Sequence, residues 1–178
     1  MVKKIFSVVS LMLFITACAS VMSETTMNSV DQNVSFAALQ QKPDTYKGKV
    51  VLLGGQIIAT TVKDNETWIE LLEKKLDSGQ KPENTDQSGG RFLVKFQGFL
   101  DPAIYSPGRY LTVAGQVEGK VIRPINETKY TFPVLAAKEH YLWKPEDTAS
   151  SRPRFGIGVG GGVGSHGSGG GVGVGVGF

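Results

Sequence analysis

A β-prone run from Lys49 to Val62 (KVVLLGGQIIATTV) carries a glycine pair, Gly54-Gly55, in its middle. Aliphatic and β-branched residues suit a pleated, half-buried strand, whereas glycine weakens one and leaves nothing to pack. A glycine pair inside such a run marks a bulge or a sharp bend, as at a barrel corner, where a side chain would crowd the backbone or demand a strained φ. The run therefore calls for a sheet that curls on itself rather than one that lies flat.

The pattern downstream stays β. Asp64-Asn65-Glu66 reads as a turn, and Thr67 to Leu72 alternates as a second strand. The stretch from Lys74 to Gly90 is crowded with charged and turn residues and reads as a long exposed loop. Arg91 to Gln97 (RFLVKFQ) alternates again, Asp101-Pro102 and Pro107-Gly108 punctuate the next connection, and Tyr110 to Val117 forms another strand. Two shorter strands follow around Lys120–Arg123 and Tyr130–Ala137, and Tyr141-Leu142-Trp143 closes the apolar pattern. Ahead of all these, Ser35 caps a short helix that Pro43 ends. Five or six short strands with little helix predict a mainly β chain. The expected form is a small OB-like barrel, closed or partly open, with a β-sandwich as the alternative.

The N-terminus carries a different message. Lys3 and Lys4 precede Ile5–Ile15, which is apolar apart from Ser7 and Ser10 and too short for the ~20 residues of a spanning helix. It has the length of a signal-peptide core. Thr16 and Ala17 then lead to Cys18, the only cysteine of the chain. Ile15-Thr16-Ala17-Cys18 resembles the bacterial lipobox, whose cysteine thiol is acylated and becomes the new N-terminus. One acyl chain anchors marginally and two or more hold firmly, at ~0.8 kcal/mol per buried methylene. The three chains that the resemblance implies would anchor the mature protein without spanning. Ala19 and Ser20 follow, with no aspartate beside Cys18, and that implies sorting to the outer membrane.

These signals divide the chain into a signal peptide (1–17), a flexible tether (18–33), a β domain (34–148) and a glycine-rich tail (149–178). Of 19 Lys and Arg, Lys3 and Lys4 leave with the signal, so 17 face 16 Asp and Glu. A balance so near neutral argues against nucleic acid as a partner. With Cys18 acylated, disulfides and thiolate metal sites are excluded in the mature monomer.

From Phe155 onward glycine dominates, ending Val172-Gly173-Val174-Gly175-Val176-Gly177-Phe178. Such composition reads first as a disordered appendage. Its alternation offers a second reading, a ribbon with valines on one face and only hydrogen on the other.

Candidate chemistry is sparse. His140 is the only histidine inside the domain, and no G-x-S-x-G nucleophile motif accompanies it. His166 lies among glycines. Glu70 and Glu73 could form an acid/base pair, but a strand end beside Lys74 and Lys75 reads as a solvated edge. Asp101-Pro102 reads as a turn that positions Tyr105. Phe92, Phe96, Phe99, Tyr105 and Tyr110 supply aromatics for a binding surface, were there one.

The residues Phe36, Pro43, Tyr46-Lys47-Gly48-Lys49, Gly54-Gly55-Gln56-Ile57, Glu70-Leu71 and Gly90-Arg91-Phe92 belong to a recurring set. Gly98-Phe99-Leu100-Asp101-Pro102-Ala103-Ile104-Tyr105 extends it, followed by Gly108-Arg109, Leu111-Thr112-Val113-Ala114-Gly115, Phe132-Pro133-Val134 and Leu142-Trp143. In this order, downstream of a lipobox, the chain resembles the Slp family of starvation-inducible outer-membrane lipoproteins from Gram-negative bacteria. The resemblance covers residues 36–145, with Lys75 where a proline is expected ahead of Leu76. It implies an outer-membrane address, a lipid anchor at Cys18 of the palmitate type, and partners in the lipoprotein processing and sorting machinery. A role in the envelope under starvation or stress is implied too, with no catalytic site and no cofactor. The alternative is a periplasm-facing binding module working through the aromatics and the Gly98–Tyr105 segment. A hydrolase would need His140 within hydrogen-bond reach of a serine or carboxylate in a cleft.

Overall fold

A computed structural model of the chain describes residues 20–145 and two further segments, Phe155–Gly160 and Gly171–Val176. Five strands, β1 (Val50–Lys63), β2 (Glu66–Lys74), β3 (Arg91–Gln97), β4 (Tyr110–Ile125) and β5 (Thr128–Leu142), close into a barrel in the order β1-β2-β3-β5-β4. All neighbours are antiparallel except β3 and β5, which pair in parallel through Leu93↔Val134, Val94↔Leu135 and Lys95↔Ala136. This is the OB-like barrel, and full closure rules out the two-sheet sandwich. Alternation builds it: Thr67, Ile69 and Leu71 of β2 point inward, as do Phe92, Val94 and Phe96 of β3. Leu111, Val113 and Leu135 complete a filled interior.

The glycine pair does another job than bulging. The register break in β1 falls between Ile57 and Ala59, and both glycines keep ordinary strand φ values. Gly54 through Gln56 pair with β2 on one edge and β4 on the other, where β1 passes between its two neighbours. A Cβ on Gly55 would collide with the Leu72 carbonyl of β2, and one on Gly54 with Leu76 and Pro82. Close approach, not a left-handed φ, demands glycine here.

The Lys74–Gly90 stretch is therefore less open than its composition suggests. Leu76 and Pro82 form a bridge over Gly54, and the buried Lys74 ammonium donates to the Thr85 and Gln87 carbonyls. The two short strands expected around Lys120 and Tyr130 are instead the far halves of β4 and β5. These run on as one long hairpin, with Gly119 (φ +126°) at a register break.

The segment expected as a flexible tether is folded from Ser20 on. Helix α1 (Glu24–Ser29) starts at Ser23, whose hydroxyl accepts from the Thr26 amide, and Met22 is buried. Ser23 also donates from its amide and hydroxyl to the Glu139 carboxylate of β5, at 2.8 and 2.7 Å. Downstream, Val30 bridges Val50 and the Asp31 amide donates to the Val50 carbonyl. Helix α2 (Phe36–Gln41), capped by Ser35, seats Leu39 in the core and sets Phe36 against Phe92.

Residues 145–178 form a separate unit. The tail is not without structure: β6 (Phe155–Gly160) pairs antiparallel with β7 (Gly171–Val176). Phe155, Ile157 and Val159 stand opposite Val176, Val174 and Val172, and glycines stand opposite glycines.

Candidate functional site

The far half of the β4–β5 hairpin leaves a cleft of about 710 Å³ between itself and the outward face of β2 and β3. Outward residues make its floor. Leu93, Phe132 and Val134 form a second apolar cluster outside the barrel interior, with Trp68, Ile125 and Tyr130 packed against it. The β1–β2 turn (Lys63, Asp64) and the hairpin tip (Pro124, Ile125) border the cleft. This is the strand 2–3 face and the pair of loops that OB-type barrels use for ligands.

Charge on the cleft wall is balanced, and that around Glu70 is fixed. Glu70, its side chain only 11% exposed, accepts from Arg91 Nη1 at 2.8 Å and from Arg123 Nη2. The Arg123 guanidinium also lies 4.6 Å from the Phe132 ring centroid. Trp68 Nε1 donates to Glu66 Oε2 at 3.1 Å. Lys95 Nζ sits 6.0 Å from the Trp68 ring and 2.7 Å from Glu118, whose carboxylate raises the Lys95 pKa. Lining charges number Lys63, Arg91 and Arg123 against Asp64, Glu66 and Glu70. Glu70 is thus held by two arginines rather than standing at a solvated edge. Glu73 instead accepts from the Gly89 amide at 2.7 Å, so the two glutamates do not form a pair.

The other candidates lie elsewhere. Phe92, Phe96 and Tyr110 are buried and present no binding surface. Asp101 does form the expected turn: its carbonyl accepts from the Tyr105 amide at 2.9 Å and its Oδ1 from the Ala103 amide. The Gly98–Tyr105 segment does not line the cleft, and Phe99 at its start is 69% exposed. His140 Nε2 is 2.8 Å from the Tyr105 hydroxyl, with Phe96 edge-on to the imidazole. Burial lowers the His140 pKa and raises that of Tyr105. That is a packed polar pair, not a nucleophile beside a base. Among the described residues no cluster of His, Cys, Asp and Glu could hold a metal, and no helix is long and apolar enough to cross a membrane. His166, Cys18 and Ala19 lie outside the described residues. Ser20 is described, and it is bound: its Oγ lies 3.0 Å from Gln80 Oε1 and 2.9 Å from the Met22 carbonyl.

Outward Trp68 and Leu93 escaped the sequence reading, since alternation assigns that side of β2 and β3 to solvent, and Phe132 of β5 was read only as part of the recurring set. The extra apolar residues there were the available signal.

The family model described as outer membrane lipoprotein Slp family matches residues 15–159. An uncharacterized protein of Haemophilus influenzae is 39% identical over 110 residues, 61% of this chain and 60% of that protein. Outer membrane protein Slp of Escherichia coli K12 is 31% identical over 126 residues, covering 70% of this chain and 66% of that one. The uncharacterized lipoprotein YeaY of the same organism is 28% identical over 131 residues, 74% of this chain and 67% of its own length. The chain thus spans about two thirds or less of these curated relatives' own lengths.

Proposed function

Because the chain belongs to the outer membrane lipoprotein Slp family, we propose that lipid on Cys18 holds it at the outer membrane, where it supports the envelope under starvation or stress without catalysis. The observation that carries this is the position of the single cysteine, at the end of a short apolar segment and inside the residues the family model matches. Ala19 and Ser20 leave the inner-membrane retention position without an aspartate. Processing and sorting machinery for lipoproteins are the partners this reading requires. Labelling with radioactive palmitate tests it: the wild-type chain takes up label and Cys18→Ser does not. Label on the variant would end the reading. Membrane fractionation of Ala19→Asp, expected to move the protein to the inner membrane, tests the sorting step separately.

A second reading, a binding module, is favoured by the cleft. Its volume falls within the ~300–1,000 Å³ of ligand pockets, and an aromatic floor under fixed polar groups is their usual make-up. Three cations against three anions do not suit a polyanion. They suit a neutral ligand with one apolar face and polar edges, as a saccharide has.

A further inference from the structure

Only Ala19 separates Cys18 from Ser20, so an acylated Cys18 lies within about 7 Å of the first described residue. That residue is clamped. Ser20 Oγ and the Val21 amide both bond to Gln80 Oε1, and Met22 is buried behind them. No slack remains between lipid and barrel, and whatever surrounds Ser20 must sit at the depth of the lipid headgroups.

From Ser20 a relay of hydrogen bonds leads through Gln80 to an aromatic pair with two cations beside it. The Gln80 carbonyl accepts from Thr112 Oγ1 at 2.7 Å, and Thr112 Oγ1 accepts from Trp143 Nε1 at 2.9 Å. Trp143 stacks edge-on with Tyr141, centroids 4.7 Å apart, and Tyr141 is 40% exposed. Lys81 Nζ lies 5.9 Å from the Trp143 ring. Arg109 then donates from Nη2 to the Trp143 carbonyl and from Nη1 to that of Ile104, which is 53% exposed.

Trp and Tyr are the residues that favour a membrane–water interface, where an apolar ring meets a polar edge. Lysine places its stem along apolar groups and its ammonium among phosphates. We infer that this face, carrying Tyr141, Trp143 and Lys81, rests on the leaflet that holds the chain, so that the barrel stands on the membrane in one orientation. The inference rests on the proposed anchoring at Cys18.

The chain has two tryptophans, Trp143 in the patch and Trp68 in the cleft, and fluorescence can therefore report each in turn. The lipidated full-length protein is incorporated into phosphatidylcholine vesicles brominated near the headgroup. In the Trp68→Phe variant, Trp143 emission is expected to fall about twofold on quenching. In Trp143→Phe, Trp68 emission is expected to stay as it is in unbrominated vesicles. A second measurement avoids core substitutions: Tyr141→Cys carrying an environment-sensitive fluorophore should shift to the blue on vesicle incorporation. Protein that floats with vesicles while Trp143 and the Tyr141 probe stay unchanged overturns the docked face but keeps the anchor. Protein that fails to float overturns the anchor and the docked face together.

Discussion

The Tyr105 hydroxyl and the His140 imidazole meet at 2.8 Å, joining the β3–β4 connection to β5. Burial disfavours the imidazolium, so the folded pKa of His140 lies below its ordinary 6.5. Between those two values the unfolded chain binds the extra proton, and stability rises with pH. The contribution is complete above about pH 6.5 and is lost as pH falls through the folded pKa. Thermal midpoints should therefore drop as pH falls below about 6.5, and His140→Gln should flatten that slope. An unchanged slope would remove His140 as its source.

Glu70→Gln should destabilise the domain by about 1–3 kcal/mol, because it removes a largely buried carboxylate and leaves Arg91 and Arg123 facing each other. Arg123→Ala, at the more exposed partner, should cost less. Urea unfolding of the two variants gives the ranking.

Gly55→Ala drives a methyl into the Leu72 backbone and should lower stability by about 1–3 kcal/mol. Gly54→Ala meets the side chains of Leu76 and Pro82 in a loop that can shift, and should be milder. Equal effects would mean that the Lys74–Gly90 loop is as unyielding as strand β2.

If the cleft takes a ligand of the saccharide type, Trp68 emission should change on titration with envelope oligosaccharides, and Arg123→Ala should weaken the binding. No response from Trp68 at millimolar oligosaccharide would set the binding-module reading aside.

Deleting residues 155–178 should move the thermal midpoint of the barrel by less than about 2 °C, since the β6–β7 ribbon belongs to a unit of its own. A larger drop would make the ribbon part of the barrel's support.

Strand identity was legible where side chains alternate against a filled interior, as in Thr67–Leu72 and Arg91–Gln97. Strand length was not. Gly119 looks like a stop, yet it absorbs a register break and β4 runs on to Ile125. Helix α1 was invisible because it buries no residue of its own and so shows no helical period. Its order comes from Ser23 meeting Glu139, 116 residues away. The cleft was missed for a related reason: Trp68, Leu93 and Phe132 come together only when the hairpin's far half lies beside β2 and β3.

The parallel seam between β3 and β5 also sets the order of events in folding. β1, β2 and β3 can pair as soon as they exist, each with its neighbour in sequence. The seam joins strands separated by the whole of β4, so loop closure comes before any reward from contact. Until residues 134–136 arrive, β3 keeps an open edge that any passing strand can occupy. Substitutions at Val134 and Leu135 should for that reason show their effect in refolding yield, where the competition for that edge is decided, before they show it in the finished barrel.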